Sequence, residues 1–263
     1  MLALPFPAID PVALDLGPLT IRWYSLAYIA GLLLGWRFML SLSSRLKHVI
    51  PKAAIDDFLV WATLGVIFGG RIGYILFYNP AHFAANPLEI FEIWNGGMSF
   101  HGGALGVLAV TYFFCQKRNI SLLALGDLIC SAAPIGIFFG RIANFINGEL
   151  YGRVSDAKWA FYFPNGGSQP RHPSQLYEAI VEGLLLFSLL SLLIFKFGAL
   201  NRPGLISGIF FLGYGLGRYS IEFFREPDKH LGVFFGFVTM GQALSTPAIL
   251  AGIWLIWRSA SRQ

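Results

Sequence analysis

The sequence predicts an all-α integral membrane protein that folds as a single transmembrane domain (residues 1–263) with about seven transmembrane helices. Three observations favour this class. Hydrophobic residues make up 56% of the chain, charged residues only 13%, and the mean hydropathy is +0.62, whereas a soluble domain has about 25% charged residues. The spans are expected to be helical because a helix pairs its backbone polar groups within one segment, and lipid supplies no partners.

Composition also argues against several other classes. Two cysteines, Cys115 and Cys130, are too few for a disulfide framework, and no Cys-x-x-Cys motif or Cys/His cluster suggests a metal, so we predict no metal and no cofactor. Residues 1–20 contain aspartate but no lysine or arginine, which is not the pattern of a cleavable signal peptide. We predict no nucleic-acid partner, because membrane topology accounts for part of the net charge of +5.

Seven apolar runs are predicted to cross the bilayer, near residues 21–42, 55–78, 98–115, 122–145, 176–197, 205–224 and 234–257. Three segments lie outside them. Residues 1–20, rich in proline and aliphatic side chains, are predicted to form an arm on the membrane surface. Residues 79–97 are predicted to form an interfacial arm with a short helix that Asn86 caps and Asn95-Gly96-Gly97 ends. Residues 147–174 form the one sizeable hydrophilic segment and are predicted to be a small periplasmic head.

Lysines and arginines in the loops predict the orientation. One side of the predicted bundle receives Arg45, Lys47, Lys52, Lys117, Arg118, Lys196, Arg202, Arg258 and Arg262. The other side receives Arg153, Lys158, Arg171, Arg225 and Lys229, in longer loops that also carry acidic residues. The first side is therefore predicted to be cytoplasmic, which places the N-terminus outside, the C-terminus in the cytoplasm and the 147–174 segment outside.

A polar stretch from Gly140 to Arg153 ends the fourth predicted span. It puts Arg141, Asn144 and Glu149 where an apolar segment leaves the bilayer, although charge at that depth costs about 2.5–3.5 kcal/mol on insertion scales. On a helix, Arg141 and Asn144 share one face. A helix end with a snorkelling arginine and an Asn-Gly turn would also explain the stretch, so a functional interpretation needs support from other spans.

Four other spans place polar side chains at the same level, the predicted outer leaflet. These side chains are Tyr24, Arg71, His101 and a single helical stripe of Tyr214, Arg218, Glu222 and Arg225. Buried ion pairs, such as Arg218 with Glu222, would explain part of this pattern. Arginines outnumber acids at this level, however, which predicts an anion site, and a lipid phosphate is the available anion.

The chain offers a base for such a site but no nucleophile. His101 can accept a proton near neutral pH, although a lone histidine beside two glycines is more often structural. Residues 97–101 lack the second glycine of a Gly-x-Ser-x-Gly elbow. Cys115 and Cys130 are predicted near the cytoplasmic ends of their spans. The nucleophile is therefore expected to come from a second substrate.

Six motifs run in order along essentially the whole chain. They are Ile21-Arg22-Trp23-Tyr24, Ser99-Phe100-His101-Gly102-Gly103, Gly140 to Arg153, His172-Pro173-Ser174-Gln175-Leu176-Tyr177-Glu178, Tyr214-Gly215-Leu216-Gly217-Arg218 and Glu222-Phe223-Phe224-Arg225-Glu226-Pro227-Asp228. Together they resemble the signature of bacterial prolipoprotein diacylglyceryl transferases. Ala143 stands where that family usually has glycine, a change of one methyl group.

The resemblance implies a reaction in the bacterial cytoplasmic (inner) membrane, with the active site toward the periplasmic leaflet. The diacylglyceryl group of phosphatidylglycerol passes to the lipobox cysteine thiol in the signal peptide of a preprolipoprotein, and glycerol 1-phosphate is released. Catalytic roles are expected for Tyr24, His101, Arg141 and Arg218, with the arginines clamping the phosphate and His101 acting as a base or orienting group. Substrate-binding roles are expected for Arg71, Asn144, Glu149, Gly152, Tyr214 and Glu222, with Asn144 and Tyr214 fixing the headgroup and Glu149 pairing with a local arginine or donor.

Three alternatives remain open at the level of sequence. A transporter or flippase for an anionic lipid also buries charge across several helices, but its polar residues should continue to the cytoplasmic side, where Asp127 and Arg37 are the main exceptions. A serine protease using Ser99 and His101 is disfavoured because residues two apart on a helix do not face each other. A structural scaffold would not need a surplus of arginines.

Overall fold

The computed structural model describes residues 3–7, 9–17, 20–46, 50–226, 233–234 and 238–261. In these ranges the main helices are α1 (Trp23–Leu42), α2 (Lys52–Tyr78), α3 (Pro80–Ala85), α4 (Phe100–Arg118), α5 (Leu122–Ile146), α6 (Ser174–Phe197), α7 (Leu205–Ile221) and α8 (Met240–Ala260). Five residues named in the sequence analysis lie outside the described ranges: Lys47, Pro227, Asp228, Lys229 and Arg262. So do residues 1, 2, 8, 18 and 19 of the predicted N-terminal arm and residues 235–237 of the predicted seventh span.

Five helices in the described part of the chain are long and apolar enough to cross a membrane: α1 with the 3-10 turn that follows it, α2, α5, α6 and α8. They indicate a multi-pass, all-α membrane protein. The predicted third and sixth spans are also helical, as α4 and α7. However, α7 has 17 residues, and α4 is made more polar by His101 near its start and by Lys117 and Arg118 at its end.

The chain divides into two units, and the unit Leu40–Gly126 is built on the packing of α2 against α4. Glycines allow the two backbones to approach closely. A Cβ at Gly73 would lie 2.6 Å from the Cα of Gly102, and a Cβ at Gly69 would lie 2.8 Å from the Cα of Gly106. Small residues at such positions are typical of helix pairs in membranes, where close van der Waals contact stabilises the pair.

The predicted 79–97 arm belongs to the same unit and forms three short pieces instead of one helix. It consists of α3 followed by two 3-10 segments, Pro87–Phe91 and Ile93–Asn95. Gly96 and Gly97, with φ of 82° and 75°, end the segment in a conformation that disfavours side chains. Apolar side chains of this arm stand out from the protein, since Leu88, Phe91 and Trp94 are each more than 70% exposed.

The other unit comprises Met1–Met39 and Asp127–Gln263 and contains α6, α7, α8 and most of α1 and α5. Asp127, near the start of α5, is fully buried and holds the start of α7. Its carboxylate accepts hydrogen bonds from the backbone N–H groups of Gly204 and Ser207 and from the Ser207 hydroxyl, each at 2.7 Å. Asp127 thus satisfies N–H groups that a helix start leaves unpaired.

Within the described ranges, short strands form three pairs. The strands are β1 (Leu4–Pro5), β2 (Val12–Asp15), β3 (Thr20–Arg22), β4 (Phe161–Tyr162), β5 (Val233–Phe234) and β6 (Val238–Thr239). Strand β1 pairs in parallel with β4, β2 pairs with β3 in antiparallel fashion, and β5 pairs likewise with β6. The Phe6 ring packs 5.3 Å from Phe145 and 5.2 Å from Phe163. This part of the predicted N-terminal arm is therefore attached to the predicted head segment.

Candidate active site

A cluster of charged side chains centres on Glu178, in the first turns of α6. The Glu178 side chain is fully buried. Its Oε1 accepts hydrogen bonds from Arg218 Nη1 at 2.9 Å and Arg225 Nη1 at 3.3 Å. Its Oε2 lies 3.0 Å from Arg141 Nε, as an ion pair without good hydrogen-bond alignment. One carboxylate therefore joins α5, α6 and the end of α7.

Two further buried carboxylates adjoin the cluster. Glu222 Oε2 lies 2.7 Å from Arg218 Nη2, the pairing that the sequence suggested. Glu182 Oε2 lies 4.0 Å from Arg141 Nη2, and neither Glu182 oxygen has a hydrogen-bond partner among the described residues. Acids therefore match arginines in number within this cluster, whereas the sequence patterns predicted a surplus of arginines over the whole level. Arg141, Arg218 and Arg225 face three carboxylates, because α6 contributes two acids that the sequence patterns did not place at this level.

The arginines remain partly accessible although the carboxylates behind them do not. Arg141 and Arg218 keep 19% and 14% of their side-chain surface exposed, whereas Glu178 and Glu182 keep 0%. A guanidinium group has five N–H donors in one plane, so it can bind a carboxylate along one edge and a phosphate along another. The cluster can thus hold an oxyanion without losing its internal ion pairs.

The winding of α6 and two glycines bring these side chains together. Residues Ala179–Leu185 form a π-helical turn, a wider winding that is frequent at functional sites. A Cβ at Gly183 would lie 2.7 Å from the Cβ of Phe138, so α5 passes very close to α6 at this turn. Gly217 of α7 lies against Val181 and Glu182 in the same way. The absence of two side chains lets three helices meet at the charged cluster.

A second polar group adjoins Arg141 at the end of α5. Arg141 Nη1 lies 3.5 Å from Asn144 Oδ1, the limit of a hydrogen bond. Asn144 Nδ2 donates to Glu149 Oε1 at 2.8 Å, and Asn147 Nδ2 lies 3.4 Å from the same oxygen. Tyr24, the second residue of α1, is close enough to interact with Asn144 and Glu149. Glu149 thus pairs with amide donors, one of the two partners that the sequence left open.

The structure therefore brings together seven of the predicted site residues. Tyr214 lies one turn before Arg218 on α7, with its ring stacked on Phe210 at 5.8 Å and near both Arg141 and Arg218. With Tyr214 the group comprises Tyr24, Arg141, Asn144, Glu149, Tyr214, Arg218 and Glu222. All seven lie in the unit that contains α6.

A family model described as prolipoprotein diacylglyceryl transferase matches residues 11–258. The chain belongs to the prolipoprotein diacylglyceryl transferase family. Similar proteins carry the name phosphatidylglycerol–prolipoprotein diacylglyceryl transferase. That of Rhodospirillum rubrum is 60% identical over 96% of this chain and 93% of its own length. The protein of Azospirillum brasilense is 56% identical over 100% of this chain and 98% of its own length. The protein of Paramagnetospirillum magneticum is 56% identical over 97% of this chain and 95% of its own length.

In this member of the prolipoprotein diacylglyceryl transferase family, the surroundings of Gly152 indicate packing rather than the predicted contact with substrate. Gly152 N donates to His172 O at 2.8 Å, and Arg171 Nη1 donates to Gly152 O at 3.2 Å. A Cβ at this position would lie 2.5 Å from Phe224 O and 2.7 Å from His172 Cβ. A side chain does not fit between these two neighbours, which is a sufficient reason for glycine.

Arg71, which was predicted to bind substrate, holds the 79–97 arm in this structure. It is buried in α2, in the other unit of the chain, and its guanidinium group donates to five backbone carbonyls of the 79–97 arm. The acceptors are Glu89 O (2.5 Å), Ile90 O (3.0 Å), Glu92 O (3.3 Å), Gly96 O (2.6 Å) and Gly97 O (3.2 Å). Because these bonds use the five N–H donors of the guanidinium group, Arg71 fixes the arm, and its predicted role in substrate binding has no support from this geometry.

His101 and Ser99 lie at the start of α4 in the Leu40–Gly126 unit. His101 is the second residue of the helix, and its side chain is exposed. Ser99 is the N-cap residue, with its hydroxyl accepting a bond from Gly102 N at 3.2 Å. Ser99 is buried and has a structural role. This arrangement disfavours the serine protease alternative.

Glu178, Glu182 and Arg225 complete the cluster and were not among the predicted site residues of this family member. Two signals could have found the glutamates. Both are acids inside an apolar run, and charge inside a span indicates a partner. Glu178 also ends one of the motifs quoted above. Arg225 was part of the predicted stripe on the sixth span, but nothing in the stripe showed that it turns toward Glu178.

Proposed function

We propose that this chain transfers the diacylglyceryl group of phosphatidylglycerol to the lipobox cysteine thiol of a preprolipoprotein, forming a thioether and releasing glycerol 1-phosphate. It is then a transferase that acts in the first step of bacterial lipoprotein maturation. Relatives at 50–60% identity over nearly the whole chain support this, because their names specify both substrates. The observation that carries the proposal is the pair of accessible arginines, Arg141 and Arg218, gathered on one buried carboxylate.

The arginine cluster suits the leaving group of this reaction. The thiolate attacks the glyceryl carbon, a C–S bond forms, the C–O bond to the phosphate breaks, and its electron pair stays on the phosphate oxygen. The phosphodiester carries one negative charge, whereas a phosphate monoester carries about −1.5 to −2 near neutral pH. Arg141 and Arg218 therefore bind the developing product more strongly than the lipid, which lowers the barrier.

The groups beside the arginines suit orientation of the lipid headgroup. Asn144 connects Arg141 to Glu149, and Tyr24 lies next to them, so this group offers hydrogen bonds to the glycerol hydroxyls. The thiol must also lose a proton. A thiol has a pKa of about 8.5 in water, and nearby arginines favour its ionised form. The role of His101 as base or orienting group rests on the family resemblance.

We also propose the predicted topology of seven crossings in the bacterial inner membrane, with α4 and α7 as the two additional spans. The bias of lysine and arginine in the loops supports an N-terminus outside and a C-terminus in the cytoplasm. Residues 147–174 then form a periplasmic head, and the active site faces the periplasmic leaflet. The exposed Leu88, Phe91 and Trp94 support an interfacial position for the 79–97 arm.

A transfer assay tests the function. Purified protein in detergent micelles is given phosphatidylglycerol and a synthetic lipobox peptide, and mass spectrometry measures addition of the diacylglyceryl group to the cysteine. Arg141→Ala and Arg218→Ala are each expected to abolish transfer, and His101→Gln is expected to reduce it. The control is Arg118→Ala, which removes an exposed ion pair with Asp57 and should retain transfer. Full transfer by Arg141→Ala would refute the binding of the lipid phosphate by Arg141 and Arg218. Absence of transfer by the wild type would refute the proposed function.

A transporter or flippase for an anionic lipid is the alternative. One observation weighs against it, since Asp127 uses its carboxylate to cap α7. A transport path would instead need that carboxylate to line an aqueous route. Movement of labelled phosphatidylglycerol between leaflets of a proteoliposome, without modification of the peptide, would favour this alternative.

A further inference from the structure

Glu178 receives arginines from three different parts of the chain, and its two oxygens divide them. Arg141, on α5, faces Oε2 at 3.0 Å. Arg218, in the last turn of α7, and Arg225, just after α7, both donate to Oε1 at 2.9 and 3.3 Å. Arg141 and Arg218, the most accessible of the three arginines, are therefore held on opposite oxygens of one carboxylate.

This arrangement sets the spacing of Arg141 and Arg218. Two long, like-charged side chains would otherwise repel each other and populate several rotamers. A phosphate that contacts both guanidinium groups at once needs them at a fixed separation, and only preorganised donors stabilise charge without a further reorganisation cost. The buried carboxylate provides that preorganisation from behind, where it does not obstruct the accessible side.

We propose that Glu178 is a positioning residue, which holds Arg141 and Arg218 at the spacing that binds the phosphate of the lipid and of the released glycerol 1-phosphate. The inference rests on the proposed function for the identity of the anion. The role of Glu178 in spacing the two arginines does not depend on which anion they bind.

Glu182 provides a matched control on the same helix. It lies four residues after Glu178 and is equally buried, but it approaches Arg141 only to 4.0 Å, and no described residue hydrogen bonds to its oxygens. Replacing either glutamate by glutamine exchanges a buried carboxyl group near the arginines for an amide of almost the same volume. If the negative charge of Glu178 acted only through its electric field, Glu178→Gln would leave a more positive site and strengthen anion binding.

If Glu178 instead positions the arginines, replacing it by glutamine should weaken anion binding. Its two oxygens each have arginine partners, and an amide NH2 group cannot accept a hydrogen bond from arginine. Glu178→Gln therefore leaves either Arg141 or the Arg218 and Arg225 pair without its acceptor. Anion binding should then weaken in Glu178→Gln and not in Glu182→Gln.

The experiment measures the KM for phosphatidylglycerol and the inhibition constant of glycerol 1-phosphate for the purified variants in micelles. Glu178→Gln is expected to raise both values by about tenfold or more, because a charge-assisted hydrogen bond is lost. Glu182→Gln is expected to leave both unchanged or to lower them. Glu178→Asp, which keeps the charge on a shorter side chain, is expected to fall between wild type and Glu178→Gln. It replaces Glu178→Gln in the comparison if the melting temperature shows that the glutamine variant does not fold.

Wild-type constants in Glu178→Gln, or equal weakening in both glutamine variants, would overturn the positioning role. Failure of the proposed function is recognised separately, as absence of thioether formation by the wild type. Binding of glycerol 1-phosphate measured by calorimetry does not require turnover, so the ranking of the variants can be read in that case too.

Discussion

Replacement of Gly152 by alanine distinguishes a packing requirement from a contact with substrate. An alanine Cβ would lie 2.5 Å from Phe224 O, 2.7 Å from His172 Cβ and 2.8 Å from His172 O. Ordinary van der Waals contact begins near 3.4 Å, so the neighbours must move by about 0.6–0.9 Å. Two of the three atoms are backbone oxygens and the third is a Cβ, so rotation of a side chain cannot relieve the overlap.

The displacement has a cost that can be approximated from the bonds involved. His172 O accepts from Gly152 N at 2.8 Å, and Phe224 O accepts from Arg153 N at 2.8 Å. Overpacking of this kind costs about 1–3 kcal/mol, and a weakened backbone hydrogen bond adds about 0.5–1.5 kcal/mol. We therefore expect Gly152→Ala to destabilise the protein by about 2–4 kcal/mol and to lower its melting temperature by about 5–10 °C.

Thermal unfolding of the purified variant in detergent, followed by tryptophan fluorescence, measures this effect. Gly136→Ala is the control, because it is helical and a Cβ there meets nothing within 4 Å. That change is expected to be neutral or to stabilise by about 0.5–1 kcal/mol. A melting temperature equal to that of the wild type, combined with loss of transfer, would refute the packing explanation and restore a substrate contact for Gly152.

Two further predictions concern Arg71 and His172. Arg71→Lys is expected to lower the melting temperature and to speed proteolysis within residues 79–97, because an ammonium group cannot replace a planar guanidinium that bonds five carbonyls. Arg118→Lys is its control, and equal protease resistance of the two variants would contradict this role. Burial lowers the pKa of His172 from its ordinary value of 6.5. As the pH falls through about 6.5, the imidazole therefore takes up a proton in the unfolded chain before it does so in the folded protein, and the free energy of unfolding decreases. His172→Gln is expected to flatten the dependence of melting temperature on pH between about 7 and 5, and an unchanged slope would show that other groups control it.

Local patterns were sufficient for the class of protein and for the positions of most helices, although the seventh span was predicted to begin at residue 234 and α8 begins at Met240. The predicted fourth span, 122–145, corresponds to α5 at Leu122–Ile146, and the predicted second span, 55–78, to α2 at Lys52–Tyr78. Side-chain spacing on one helix was also sufficient to pair Arg218 with Glu222. The shape of the 79–97 arm was not predictable in this way. Arg71, from a neighbouring helix, supplies the donors that organise its short turns.

The sequence by itself thus determined that the chain is a helical membrane protein and which polar residues interrupt its apolar runs. These properties depend on composition and on the helical repeat, which are local. Only the tertiary structure decided which of those residues meet. The pairing of Arg141 and Arg225 with Glu178, and the enclosure of Gly152 by His172 and Phe224, join positions that are far apart in the chain. Such contacts depend on how helices rotate and cross, and no local pattern encodes that.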